Sequence, residues 1–76
     1  MEELLVYIAK NIVDDPDAVS VEKNVTDDTI SLILHTAKDD VGRVIGKHGR
    51  VAKEIRTLIR ACEYAGGKKI SVEFAE

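Results

Sequence analysis

Two glycines, Gly46 and Gly49, stand on either side of a basic pair in the segment from Val41 to Arg50. An apolar run precedes these glycines and an amphipathic helical pattern follows them. Glycine reaches backbone angles that other residues avoid, and its missing Cβ lets another backbone come close. A loop of this kind at the positive N-terminal end of a helix is suited to holding a phosphate chain. The segment therefore predicts a loop between two helices, with a nucleic-acid backbone as its leading ligand.

The length of the chain limits what surrounds this loop. A domain of 76 residues buries only about 60% of its unfolded surface and holds one thin core. We therefore expect a single domain over residues 1–76 that offers a binding surface and not an enzyme pocket. Two histidines and no paired acids near the loop leave no nucleophile with its base, and no Walker or dinucleotide motif is present. The sequence predicts a protein that is not an enzyme and has no cofactor.

The single cysteine and the N-terminal residues indicate in which cellular compartment the protein is expected. Cys62 alone excludes an internal disulfide and a multi-cysteine metal site, and its apolar neighbours predict a buried thiol. The N-terminus is acidic where a secretory signal is basic, and no apolar run approaches ~18 residues. We expect a cytoplasmic protein with no metal site and no association with a membrane.

Charge is segregated along the chain, so the net charge of −3 is misleading. Residues 1–40 hold ten acids and three bases, whereas residues 41–60 hold six bases and one acid. A basic block inside an acidic chain is a local electrostatic footprint for a polyanion. The acidic remainder disfavours indiscriminate binding.

Hydrophobic periodicity predicts three helices and three strands. The first helix ends before Asp15-Pro16, because the residue before proline is pushed out of the helical region. Asp39 or Asp40 is a candidate cap for the short second helix, and Gly66-Gly67 stops the third. Residues 19–22 and 29–35 form a hairpin. The predicted helices are 2–13, 41–45 and 50–65, and the third strand is 69–74.

This α-β-β-α-α-β order predicts an α+β domain of two layers, a three-stranded sheet covered on one face by three helices. Alternation turns Ile30, Leu32 and Leu34 towards the core and Ile33 away from it. In the last strand the inward residues are Ile70, Val72 and Phe74. The long helix is expected to pack through Val51, Ala52, Ile55, Leu58, Ile59 and Cys62, with Lys53, Arg56 and Arg60 opposite.

A helix, a Gly-x-x-Gly loop and a second helix on a small sheet resemble the KH domain of nucleic-acid-binding proteins. The stretch Val44-Ile45-Gly46-Lys47-His48-Gly49 is similar to the signature of that family. The element order resembles its type II, the prokaryotic arrangement. Residues 41–50 are similar to the corresponding stretch of small bacterial proteins that consist of one KH domain, so the resemblance covers the whole chain.

The resemblance implies a single-stranded RNA-binding protein that holds about four nucleotides. Gly46 and Gly49 would admit the sugar-phosphate backbone, while Lys47 and Arg50 supply charge. Apolar side chains of the two helices would wall a groove for bases, and the edge of the strand at Leu32 to His35 would add polar contacts. The implied RNA-binding residues are Val41, Arg43, Val44, Ile45, Gly46, Lys47, His48, Gly49, Arg50, Lys53, Ile55 and Arg56.

The resemblance also implies partners. Proteins of this type act as RNA chaperones or post-transcriptional regulators, and they form homodimers or pair with a larger KH-containing RNA-binding protein. One short site binds weakly, so avidity from a partner would strengthen binding. Protonation of His48 would make binding depend on pH.

Two alternatives remain open. The chain could be an assembly domain without nucleic-acid binding, in which Ile33, Leu58 and Ala61 feed a protein interface. Less favoured is a helix-turn-helix reader of duplex DNA, because two helices around a short glycine turn look similar.

Overall fold

The helices and strands follow the order that the sequence predicts. The computed structural model describes residues 2–61 and 68–75. It contains three 3-10 turns, at Pro16–Ala18, Lys38–Asp40 and Lys47–Gly49. The predicted burial of Cys62 and the helix stop at Gly66-Gly67 lie outside the described residues. The elements are α1 (Glu2–Lys10), β1 (Ser20–Val25), β2 (Thr29–His35), α2 (Val41–Ile45), α3 (Arg50–Ala61) and β3 (Lys69–Phe74).

The sheet is mixed, with β2 in the centre. β1 pairs with β2 antiparallel and places Ser20 opposite His35, which confirms the predicted hairpin. β3 pairs with β2 parallel and places Ile70 opposite Ile30. Because β2 is paired along both sides, it has no free edge for base contacts, and that prediction for the strand is wrong. The open edges of the sheet belong to β1 and β3.

One face of the sheet carries the core. Alternate residues of β2 and β3 are buried on that face, and all three helices add side chains to the same cluster. These contacts confirm the two-layer α+β arrangement. The buried cluster consists of Leu5, Ala9, Ile30, Leu32, Leu34, Val44, Ile55, Ile59, Ile70 and Val72.

Leu58 departs from the predicted packing. It is 52% exposed, while Ala52, Ile55 and Ile59 supply the buried face of α3. Leu58 lies on the flank of that face, so its predicted place in the core is wrong. Ile33 turns away from the core and is half-buried, as alternation predicts.

The first helix is shorter than predicted, ending at Lys10 and not at residue 13. The N–H groups of Ile12 and Val13 both donate to the Ala9 carbonyl, which closes the last turn. The following N–H groups, of Asp14 and Asp15, donate to the side chain of Asp40. A partner distant in sequence therefore takes the donors that would have continued the helix.

Within the described residues, no helix is long and apolar enough to cross a membrane.

β1 is longer than predicted, because its length is set by hydrogen-bonded pairing with β2 and not by burial of its side chains. Its pairing runs to Val25 opposite Ile30, although five of its six residues are exposed. The turn is then limited to residues 26–28. Thr26 closes it by exchanging hydrogen bonds with Thr29.

Candidate nucleic-acid interface

The loop between α2 and α3 adopts a backbone that requires glycine at two positions. Gly46 has φ 76° and ψ 174°, and Gly49 has φ 71°. A Cβ at Gly46 would overlap the Val51 side chain and lie 2.9 Å from the Val51 backbone nitrogen. A Cβ at Gly49 would meet open space, so only its backbone angle favours glycine. The two glycines are thus required for different physical reasons.

His48 also has a positive φ, in the left-handed helical region. Its φ of 58° and ψ of 26° fall in a region that few residues other than glycine adopt, although histidine is among those enriched there. Sequence reasoning missed this conformation. With Gly46 and Gly49, it gives three of the four loop residues a positive φ. The loop therefore turns sharply, and the Lys47 and His48 side chains are exposed.

Three of the predicted RNA-binding residues are exposed cations. Lys47, Arg50 and Lys53 have side chains that form no ion pair with any residue the structure describes. Lys47 and Arg50 line an open depression with His48 and Val51. A second depression along α3 shares Arg50 and reaches Lys53. The loop and the first turns of α3 therefore present three exposed cations on neighbouring surfaces, with Glu54 as the one acid among the lining residues.

The other two predicted arginines are held against the protein. The Arg43 Nη2 lies 2.8 Å from Asp14 Oδ2, and its Nε donates to Asp40 Oδ1 at 3.0 Å. The Arg56 Nε donates to the Val72 carbonyl at 3.1 Å on the open edge of β3. The Arg56 guanidinium carbon also lies 5.2 Å from the centroid of the Phe74 ring, within cation–π range. Both side chains make intramolecular contacts that the sequence did not predict.

The apolar residues predicted to line the groove for bases also fall into two groups, fully buried and half-buried. Val44 is 1% exposed and Ile55 is 2% exposed, so their side chains have almost no surface to offer a base. Both pack in the core, since α2 and α3 each need apolar anchors on the sheet. Val41 and Ile45 are half-buried and keep accessible surface.

Asp40 is a buried acid that sequence reasoning interpreted only as a possible helix cap. It does directly precede α2, but its side chain makes no capping hydrogen bond. Its oxygens instead accept from the backbone N–H groups of Asp14 and Asp15 and from Arg43. These interactions, led by the Asp14 N–H, lower the pKa of Asp40 although burial acts to raise it.

No sequence signal shows this long-range role. Fully buried acids are rare, and the sequence does not indicate that Asp40 is one of them. Within residues 2–61 and 68–75, no group of three or more His, Cys, Asp or Glu side chains is arranged to hold a metal ion.

Comparison with known proteins relates this arrangement to one family. A family model described as KhpA/KhpB, KH domain matches residues 2–74. The chain is 46% identical over 76 residues to the RNA-binding protein KhpA of Listeria monocytogenes, covering all of both chains. It is 47% identical over 73 residues to KhpA of Clostridium acetobutylicum, covering 96% of this chain and 97% of that protein.

Against KhpA of Bacillus subtilis the identity is 44% over 73 residues, covering 96% of this chain and 90% of that protein. No solved structure matches the chain significantly. The family match covers nearly the whole chain and agrees with the element order and with the glycine loop. The chain therefore belongs to the KhpA/KhpB family of KH domains.

Proposed function

We propose that this protein is a single KH domain over residues 1–76 that binds single-stranded RNA without catalysis and holds about four nucleotides at the Gly46–Gly49 loop. The observation that carries this proposal is the loop itself. Its left-handed backbone stands beside Lys47, Arg50 and Lys53, which are exposed and unpaired among the described residues. The names of the relatives, RNA-binding protein KhpA, support RNA as the ligand.

The binding mechanism follows from the loop geometry. Gly49 carries no side chain that would keep a sugar-phosphate backbone at a distance, because a Cβ there would point into open space. Gly46 supports this approach through its backbone angle, since a Cβ there would meet Val51. The Arg50 N–H already donates to the Lys47 carbonyl, so the N–H groups that follow it in the first turn of α3 would donate to phosphate oxygens. Lys47 provides a point charge and Arg50 a forked donor. Bases would contact the accessible surface of Val41 and Ile45.

The proposed role is that of an RNA chaperone or post-transcriptional regulator acting in the cytoplasm with a protein partner. A site for about four nucleotides binds weakly, and joining two sites raises the effective affinity. The partner would be a second copy or a larger KH-containing RNA-binding protein. The description of the family, which joins KhpA with KhpB, supports the second choice. The exposed Leu58 and Ala61 of α3 supply surface for such contact.

The test is a double variant, Lys47→Asp with His48→Asp, in a titration with a fluorescent unstructured oligoribonucleotide. Reversing charge at the loop is expected to weaken binding by more than about tenfold, because like charge is placed beside phosphate. The control is Lys10→Asp with Asn24→Asp, which alters net charge equally at two exposed positions on α1 and β1. This control is expected to bind nearly as the wild type does.

Three outcomes would contradict the proposal. In the first, the loop variant retains its affinity while its circular dichroism shows an intact fold. In the second, the control loses as much affinity as the loop variant. In the third, the wild type prefers duplex DNA in a gel-shift competition, which would favour the helix-turn-helix alternative.

A further inference from the structure

The helix that carries the glycine loop has little to hold it in place. α2 has five residues, far fewer than the ~12–15 that an isolated helix needs in water. Val44 is its one fully buried side chain. The loop begins directly from this helix, since the Gly46 N–H donates to the Gly42 carbonyl at 2.8 Å. Any contact that orients α2 therefore also orients the loop.

Asp40 supplies such a contact at the start of α2. It is 2% exposed, and a buried carboxylate is tolerated only when donors surround it. Oδ1 accepts from the Asp14 N–H at 3.1 Å, and Oδ2 accepts from the Asp15 N–H at 3.0 Å. These two bonds tie the first residue before α2 to the chain that follows α1. They span 26 and 25 residues of sequence, so they fix tertiary position and not local conformation.

Arg43 extends the same contact along α2. Its Nε donates to Asp40 Oδ1, one helical turn earlier, and its Nη2 pairs with Asp14 Oδ2. One guanidinium therefore bridges two carboxylates on separate segments. Arg43 is half exposed, yet two of its nitrogens already have acidic partners, which lowers its capacity to neutralise a phosphate. We call Asp14, Asp15, Asp40 and Arg43 the Asp40 network.

We propose that Asp40 and Arg43 are positioning residues that orient α2 and its glycine loop for RNA, and that Arg43 is not a phosphate contact. This inference rests on the proposed RNA-binding function. It reassigns one predicted RNA-binding residue and adds a residue, Asp40, that bears the wrong charge to bind RNA directly.

The salt dependence of binding distinguishes a cation that contacts phosphate from a cation that positions α2. Each phosphate contact on a single strand adds about 0.7 to the slope of log affinity against log salt. We expect Lys47→Gln to reduce the slope by that amount. Arg43→Gln removes the same charge but is expected to weaken binding several-fold with an unchanged slope. Arg43→Lys is expected to behave like Arg43→Gln, because a single ammonium does not reproduce the bridge of a forked guanidinium.

Asp40→Asn separates positioning from electrostatics by the sign of its effect. Removing a negative charge near an RNA site would strengthen binding if only long-range attraction mattered. Loss of position would weaken it, and we expect a several-fold loss of affinity. Circular dichroism checks that Asp40→Asn is folded. If it is unfolded, the variants of the half-exposed Arg43 still test whether the Asp40 network positions the loop. Tighter binding by folded Asp40→Asn, or a slope reduced in Arg43→Gln as in Lys47→Gln, would overturn the proposal.

A measurement without RNA distinguishes this proposal from the proposed function. In Arg43→Gln alone, we expect amide resonances of Gly46 and Gly49 to shift and amide exchange at Asp14 and Asp15 to accelerate. Lys47→Gln is the control, and its Asp14 and Asp15 exchange should equal that of the wild type. Unmoved glycine resonances in Arg43→Gln would overturn the positioning role even if the wild type binds RNA. Failure of the wild type to bind oligoribonucleotides would instead overturn the proposed function.

Discussion

Replacing Gly46 with alanine is expected to destabilise the protein strongly, and two terms contribute. At φ 76° and ψ 174° an alanine occupies a region that is essentially limited to glycine, at a cost of about 1–3 kcal/mol. The new Cβ also overlaps Val51, and such overpacking costs about 1–3 kcal/mol more. The sum of about 2–6 kcal/mol compares with a total of about 4–11 kcal/mol expected for 76 residues. Gly46→Ala should therefore be marginally folded or unfolded.

Gly49→Ala is the matched control. Its φ of 71° carries a left-handed penalty of about 1–2 kcal/mol, and no atom lies near the new Cβ. Reduced entropy of the unfolded chain offsets about 0.4–1 kcal/mol of that penalty. Gly49→Ala is therefore expected to lose about 1.6 kcal/mol or less, which is below the loss expected for Gly46→Ala.

The measurement is chemical denaturation of both variants and the wild type, followed by circular dichroism. Combining Gly46→Ala with Val51→Ala should recover only part of the loss, because the Val51 backbone nitrogen stays in place. Equal losses for Gly46→Ala and Gly49→Ala would refute the reasoning, since they would show that contact with Val51 has no energetic effect.

Two other predictions concern stability. Hydrogen bonds from the Asp14 and Asp15 N–H groups and from Arg43 lower the pKa of Asp40 from 3.8, so its contribution is complete at neutral pH and is lost as pH falls below that value. The difference in unfolding free energy between wild type and Asp40→Asn should stay constant near neutrality and shrink in acid, and a difference that grows in acid would contradict this. Leu32→Ala removes a fully buried side chain at the centre of the sheet and should cost about 2–5 kcal/mol. Ile33→Ala, on the other face of the same strand, should cost about 1 kcal/mol, and denaturation that ranks the two in reverse would show the sheet faces to be wrongly assigned.

The elements that the sequence predicted best are those whose own residues carry a strong pattern. β2 and β3 begin and end where predicted, because their apolar residues alternate and one face is buried. The short helix α2 also has its predicted bounds, since Gly46 ends it with a backbone angle that only glycine accepts readily. In each case the cause is local, and a local cause is visible in sequence.

The misplaced boundaries depend on residues far away in the chain. α1 ends at Lys10 because Asp40 accepts the N–H groups of Asp14 and Asp15. β1 continues to Val25 because β2 pairs with it, although its side chains are mostly exposed. Neither cause leaves a periodic trace in the segment it affects. The same limit explains why β2 was predicted to offer an edge, since strand order is a tertiary property.

Charge shows most clearly what sequence and structure each contribute to the site. Composition identifies a basic block between residues 41 and 60, and it treats every cation there as equivalent. Folding separates them, because Arg43 meets two carboxylates and Arg56 meets a carbonyl and a ring, while Lys47 and Arg50 remain exposed. An arginine that already has protein partners gains less from a phosphate than a solvated one wherever it must give up those partners. We therefore expect fewer phosphate contacts than the six cations of the basic block would allow.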